Sequence, residues 1–275
     1  MQRIGIVYRE NPPAAVAMAV RLERLIGASG LDVKSRMVER DHDLPDHMMG
    51  CDFIIVLGGD GTIISTARQV AALGTPILGV NYGHVGFLTE LDPDTIEHEL
   101  PAYLHGDYWV DQRAMLSGSL VVNGTTETFL ALNDVIVARG PEPRVIRFTI
   151  RIDDADFTTL TADGIIVATA TGSTAYNLAA GGPILFPSVQ SMVVTPIAPH
   201  LALERPLVLE PHTKVQIELA ASSGAAVLAA DGQLIWPFDG AAIVTVTISP
   251  HITRFLRRRS RNHFYQVLNQ KLQEH

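Results

Sequence analysis

Apolar and polar positions along the first hundred residues alternate between two periods. Arg3 to Tyr8 carries a continuous apolar run bounded by polar residues and predicts a strand. Pro13 to Ala28 follows with helical spacing, Pro13 near its start and Gly30 just after its end. Leu31 to Val38 predicts a second strand. Arg40 to Gly50 is polar and holds Pro45, so it reads as a loop or short turn. Phe53-Ile54-Ile55-Val56-Leu57 is apolar and β-branched and stops abruptly at Gly58-Gly59-Asp60-Gly61-Thr62. Ile63, Ile64, Ala67, Val70 and Ala71 then restart the pattern as one face of a helix. Thr75 to Val80 predicts another strand, and Asp92 to Leu104 a helix capped by Asp92 with Pro93 at its first position. Strands alternating with helices imply a parallel sheet covered on both faces.

Beyond about residue 107 the period shortens. Ala114 to Val122 and Thr125 to Ala131 flank Asn123-Gly124, the signature of a hairpin with a type I′ turn. Val145 to Ile152 and Asp156 to Thr161 flank Asp153-Asp154-Ala155 in the same way. Short strands continue at Ile165 to Thr169, Met192 to Pro196, Leu207 to Leu209, Val215 to Ala220, Ala226 to Ala230 and Ala242 to Ile248. Such spacing predicts a sandwich- or barrel-like β domain. Asn262 to Leu272 regains helical spacing. The expected organisation is an α/β domain over 1–106, a β-rich domain over 107–255, and a closing helix over 256–275 that returns to the first domain.

Composition adds limits. At 275 residues with 47% hydrophobic and 18% charged residues, the chain can bury a sizeable core. No apolar run reaches the roughly 20 residues that span a bilayer, and the N-terminus lacks a signal-peptide layout. One cysteine, Cys51, excludes an internal disulfide, reads as a small core residue, and points to a cytoplasmic setting. A net charge of −8 argues against general nucleic-acid binding. Arg254 to Arg261 is the one basic run, and a solvated surface is favoured there over a polyanion patch.

The chemistry concentrates in two glycine-rich stretches. At the first, glycines let a ligand touch the backbone, and a helix N-terminus favours phosphate. Asp60 is an anion where an anion should bind, which suggests that it handles a proton or a metal. Lysine occurs only at 34, 214 and 271, so no Gly-Lys-Ser/Thr phosphate loop exists, and G-x-G-x-x-G is absent from the turn. The second stretch runs from Asp163-Gly164 through Thr171-Gly172-Ser173-Thr174-Ala175-Tyr176-Asn177 to Gly181-Gly182-Pro183. Rich in hydroxyls and open backbone, it suits a polyol or phosphate ligand, and it lacks the G-x-S-x-G frame of a nucleophile elbow. Ten histidines are scattered without zinc-ligand spacing; His84 and His200 read as hydrogen-bonded structural residues.

Gly58-Gly59-Asp60-Gly61-Thr62, Asn133-Asp134, Asp163-Gly164, Thr171 to Tyr176, Thr195-Pro196-Ile197-Ala198-Pro199-His200 and Asp231-Gly232-Gln233 occur in an order and spacing that resembles the NAD kinase family over nearly the whole chain. The first motif is shared with phosphofructokinases and lipid kinases; the second is more specific. The resemblance implies transfer of a phosphoryl group from ATP, or polyphosphate, to the 2′-hydroxyl of the adenosine ribose of NAD. It also implies a divalent metal, Mg by preference, bound mainly through substrate phosphates with no protein metal ligands, and a homodimer or homotetramer. It implies Asp60 as proton acceptor, with Gly61 beside the NAD and Gly58, Gly59, Gly61 and Thr62 as the phosphate-donor loop. Asn133 and Asp134 match an Asn-Glu pair that holds the dinucleotide. Arg144, Asp163, Thr174, Ala175, Tyr176, Asn177, Leu178, Ala179 and Gln233 match further NAD contacts. The two motifs together imply an active site in the cleft between the two domains. Three departures stand out: Ser65 and Thr161 occupy positions where relatives often carry Arg, and Asn81-Tyr82-Gly83-His84-Val85-Gly86-Phe87 has Tyr82 and His84 where Leu and Arg are commoner. The alternatives are a lipid or sugar kinase of the same superfamily, or a non-catalytic NAD(P)-binding sensor, against which an acid at position 60 argues.

Overall fold

The computed structural model describes residues 2–38, 44–84, 86–142, 144–200 and 205–273. The chain forms two compact units, one of residues 1–112 and 253–275, the other of residues 113–252.

The first unit opens with β1 (Arg3–Tyr8), α1 (Pro13–Ala28), β2 (Asp32–Met37), α2 (Leu44–Met48), β3 (Phe53–Gly58), α3 (Asp60–Val70), β4 (Ile77–Asn81) and α4 (Ile96–Leu104). Its strands run parallel in the order β2-β1-β3-β4. Every residue of β3 is buried, as expected of a central parallel strand with both faces covered. Ile4, Ile6, Phe53, Ile55 and Leu57 pack against Met18, Leu22 and Ile26 of α1 and against Ile96, Leu100 and Tyr103 of α4.

Two expectations here need correction. Residues 40–43 lie outside the described residues, but Leu44–Met48 is helical, not a loop. Leu44 and Met48, four apart, both turn into the core, and Pro45 sits early enough in the helix to be tolerated. α4 begins at Ile96 instead of Asp92. The Asp92 carbonyl accepts the N–H groups of Thr95 and Ile96, while the Thr95 hydroxyl accepts the Asp92 N–H, so Asp92 to Thr95 close a turn ahead of the helix.

The second unit follows through β5 (Trp109–Val122), β6 (Thr125–Ala131), β7 (Asp134–Arg139), β8 (Ile146–Ile152), β9 (Ala155–Ala162), β10 (Gly164–Ala168), the short helix α5 (Tyr176–Ala179), β11 (Met192–Ile197), β12 (Leu207–Leu209), β13 (Val215–Leu219), β14 (Ala226–Ala230), β15 (Leu234–Phe238) and β16 (Ala242–Arg257). Asn123 and Gly124 both have positive φ, 50° and 78°, as a type I′ turn demands. Asp153 and Asp154 do likewise at 49° and 67°, so that turn has two residues and Ala155 already belongs to β9. One antiparallel sheet runs β12-β11-β10-β7-β14-β15; facing it are β5, β6, β8, β9, β13 and β16. Val135, Val137, Ile165, Val167 and Val194 from one sheet meet Leu116, Phe148, Ile150, Ile217 and Val244 from the other in one core. This is a β-sandwich. β7 and β15 are additions to the expected strands; β15 carries Pro237 and lies at a sheet edge, where a missing N–H is tolerated.

β16 continues nine residues past its expected end, and Phe255 pairs with Ile77 of β4 in the first unit. This corrects the reading of Arg254 to Arg261 as a solvated surface at Arg257, while Arg258, Arg259 and Arg261 are exposed. Arg257 is 6% exposed and donates to the carbonyls of Leu88 (3.1 Å) and Thr89 (3.0 Å), with Glu90 Oε2 at 3.3 Å and Asp111 Oδ2 at 3.5 Å. Arg258 pairs with Glu99 and Asp107. The chain closes with α6 (His263–Gln273) in the first unit. No described helix is long and apolar enough to cross a membrane.

Candidate active site

β3 ends at Gly58 and α3 begins at Asp60, with Gly59 extended between them. Gly58 leaves room for Thr62, whose Oγ1 would lie 2.6 Å from a Cβ there. The Asp60 side chain does not point out along the helix start as a free anion. Its Oδ2 accepts the N–H of Phe87 at 3.0 Å and its Oδ1 that of Leu88 at 3.2 Å. Gly86 makes this approach possible, because a Cβ there would overlap the Asp60 carboxylate. Burial raises the Asp60 titration above the ordinary carboxylate range, against the two amide bonds and the positive charges of Lys271 and Arg257. The result is a fixed, poorly solvated carboxylate, suited to taking a proton.

Val85 lies outside the described residues; Tyr82 is half-buried and His84 exposed, and His200 in the second unit is exposed too, with its N–H on the Thr161 carbonyl. Ser65 is buried in α3, its Oγ facing Gln69 Nε2 at 3.3 Å.

In the second unit, one end of the β7–β10 pair gathers most of the sequence candidates. Asn133 and Asp134 open β7, and the Asp231-Gly232-Gln233 turn between β14 and β15 lies against them. Asp231 Oδ1 accepts the amides of Asn133 (2.7 Å) and Asp134 (3.3 Å), and Oδ2 that of Leu132 (3.0 Å). Just past β10, the Thr169 hydroxyl donates to the Leu132 carbonyl and accepts the Gly172 amide. Gly172 must be glycine, since a Cβ would strike the Asn133 backbone. The loop beyond is framed from within. Ser173 Oγ donates to the Ala170 carbonyl (2.7 Å), and the fully buried Asn177 bonds the Ser173 and Pro183 carbonyls and the Thr195 hydroxyl. Asn177 therefore braces the loop through its side chain, while Tyr176 and Ala179 are exposed and Thr174, Ala175 and Leu178 half-buried.

Asp163 and Arg144 are not brought to this end. β10 runs antiparallel to β7 with Gly164 opposite Ala138 and Ala168 opposite Asp134. Six residue steps at about 3.3 Å each put Asp163 roughly 20 Å from Thr169. At that far end Asp163 Oδ1 accepts Arg139 Nε at 2.9 Å, and Arg139 also donates to the Glu142 carbonyl. Arg144 is exposed close by in sequence. Arg139, the framing role of Asp231 and the clamp at Phe87–Leu88 were not among the sequence candidates, although Asp231 and Phe87 each lay inside a quoted stretch.

Burial, followed by the Asp231 charge, pushes Asp134 up to about 7. A carboxyl that folds with a raised pKa holds its proton more tightly native than unfolded, so stability is lost as pH rises between about 4 and 7. Asp134→Asn, which cannot ionise, should gain about 4 kcal/mol over the parent at pH 8 and nothing near pH 4. Denaturant unfolding at both values checks this; an equal difference at both would refute it.

A parallel sheet with a glycine turn delivering one carboxylate, joined to a sandwich with a hydroxyl-rich loop, defines a nucleotide-using phosphotransferase. Two family models match, the ATP-NAD kinase N-terminal domain over residues 4–108 and the ATP-NAD kinase C-terminal domain over residues 132–258. The NAD kinase of Syntrophotalea carbinolica is 39% identical across 99% of this chain and 98% of its own. That of Heliobacterium modesticaldum is 36% identical across 100% and 99%. Among solved structures, yeast NADH kinase complexed with NADH aligns with a TM-score of 0.87 at 25% identity, over 99% of this chain and 87% of that one. An NAD kinase from Archaeoglobus fulgidus in complex with ATP aligns at 0.78 and 28% identity, over 97% and 99%. The chain belongs to the NAD kinase family and is an enzyme of that activity.

Proposed function

We propose that the chain phosphorylates the 2′-hydroxyl of the adenosine ribose of NAD, with ATP as donor and Asp60 as proton acceptor. The observation that carries this reading is the Asp60 carboxylate, half-buried and oriented by two amides. A ribose hydroxyl is a poor nucleophile at neutral pH. A carboxylate in reach takes its proton as the oxygen–phosphorus bond forms and the bond to the leaving ADP breaks. Gly58, Gly59, Gly61 and Thr62, at the turn into α3, receive the donor phosphates at the start of that helix. Asn133, Asp134, Gln233 and the loop Thr174 to Ala179 receive the dinucleotide, Asn177 through the backbone it braces.

Among the described residues no group of three or more His, Cys, Asp or Glu side chains could hold a metal ion. In this reading a divalent ion would come with the donor phosphates, where it would neutralise the transferred group. Asp163 and Arg144, at the far end of β10, would join a dinucleotide site only as residues of a second copy, which favours a homo-oligomer. Full activity at a single-chain mass would overturn that. The buried lone cysteine suits a reducing cytoplasm.

The purified protein incubated with magnesium, NAD and ATP should yield NADP in a coupled dehydrogenase assay, and a parallel reaction with polyphosphate reads donor choice. No NADP from either donor would overturn the proposal.

A further inference from the structure

The amides that hold Asp60 belong to a segment that is itself gripped from two elements. From β16, Arg257 donates to the Leu88 and Thr89 carbonyls and reaches that of Phe87 at 3.5 Å. From α6, the Phe264 ring packs against the Phe87 ring with centroids 5.7 Å apart, and Lys271 Nζ stands 6.0 Å from the Phe87 centroid. Phe264 and Lys271 are seven residues apart, two turns, and so share one face of the helix. Only Val267 is buried along α6, so core burial gives this helix little. What it presents to Phe87 is an aromatic ring and an ammonium.

The two cations differ in what they meet. Arg257 is matched by Glu90 and Asp111 on its other side. Lys271 stands over the face of an aromatic ring, which attracts a cation electrostatically. Resting on the reading of Asp60 as the base, we propose that Lys271 is a positioning residue of the active site: from α6, over the Phe87 ring, it holds the segment whose N–H groups aim the Asp60 carboxylate. The charged groups facing Asp60 are then Lys271 from α6 and Arg257 from β16, with Glu90, on the clamp segment, facing Arg257. Both cations oppose the upward push of burial on Asp60.

The test follows the Asp60 carboxyl directly, by its carbon-13 shift during a pH titration, assigned by difference from Asp60→Asn. In Lys271→Gln the Asp60 titration should move up by about half a pH unit, and Lys271→Arg should restore it. The acidic limb of kcat/KM should move with it, costing about threefold in rate one pH unit below the parent midpoint. An Asp60 titration unchanged in Lys271→Gln, or not restored by Lys271→Arg, overturns the proposal. So does a rate loss equal at every pH, which would mark a purely structural contact. If the parent forms no NADP, the proposed function fails, while the carboxyl titration still decides the coupling of Lys271 to Asp60.

Discussion

Replacing Asp60 with Asn should lower turnover by about 10²- to 10⁴-fold, the usual worth of a positioned general base, while the dissociation constant for NAD stays within about threefold. The split follows from where the groups sit. The dinucleotide candidates Asn133, Asp134, Gln233 and Thr174 to Ala179 belong to the second unit, whereas Asp60 belongs to the first. Asparagine keeps the volume of the carboxylate but accepts only one of the two N–H groups that Phe87 and Leu88 direct at it. It cannot take a proton from the ribose hydroxyl. Steady-state kinetics paired with calorimetric titration of NAD would read both quantities. Turnover near the parent rate would end the assignment of the base. In the parent, burial holds the Asp60 titration above the usual carboxylate range, so the acidic limb of kcat/KM should lie above that range as well.

The sequence exposes Asp60 because an acid among three glycines has no packing use, and the strand before it is legible because β3 is apolar at five successive positions. What surrounds Asp60 was hidden. Phe87 and Leu88 act through backbone N–H groups, which every residue has, and Gly86 reads as an ordinary loop glycine until its missing Cβ is seen against the carboxylate. The hairpins at Asn123-Gly124 and Asp153-Asp154 were readable because positive φ at two successive positions restricts residue type. β7 was not, since its ends are Asp134 and Arg139. The placement of Asp163 shows a different limit. Motif order along a chain says nothing about which end of a strand a residue lies at, and Asp163 and Thr169 flank opposite ends of β10.

A charged run is the most misleading signal of all here, and Glu90 shows why. It looks like one more acid in a chain with 29 of them, yet it is 2% exposed. Its Oε1 accepts the amides of Arg258 (2.8 Å) and Arg259 (2.9 Å) and its Oε2 lies 3.3 Å from Arg257. Glu90→Ala should cost about 3 kcal/mol, because it leaves the buried Arg257 with Asp111 as its remaining carboxylate and two amides without an acceptor. Glu90→Gln keeps an acceptor for the amides and should cost roughly half as much. The consequence should also reach the chemistry. Arg257 holds the carbonyls of Leu88 and Thr89, so loosening it loosens the N–H groups that aim Asp60. Turnover in Glu90→Ala, assayed well below its melting temperature, should therefore fall severalfold with little change in NAD affinity. A variant that unfolds at the parent denaturant midpoint would show that the Glu90–Arg257 pair contributes nothing beyond what hydrophobic packing already supplies.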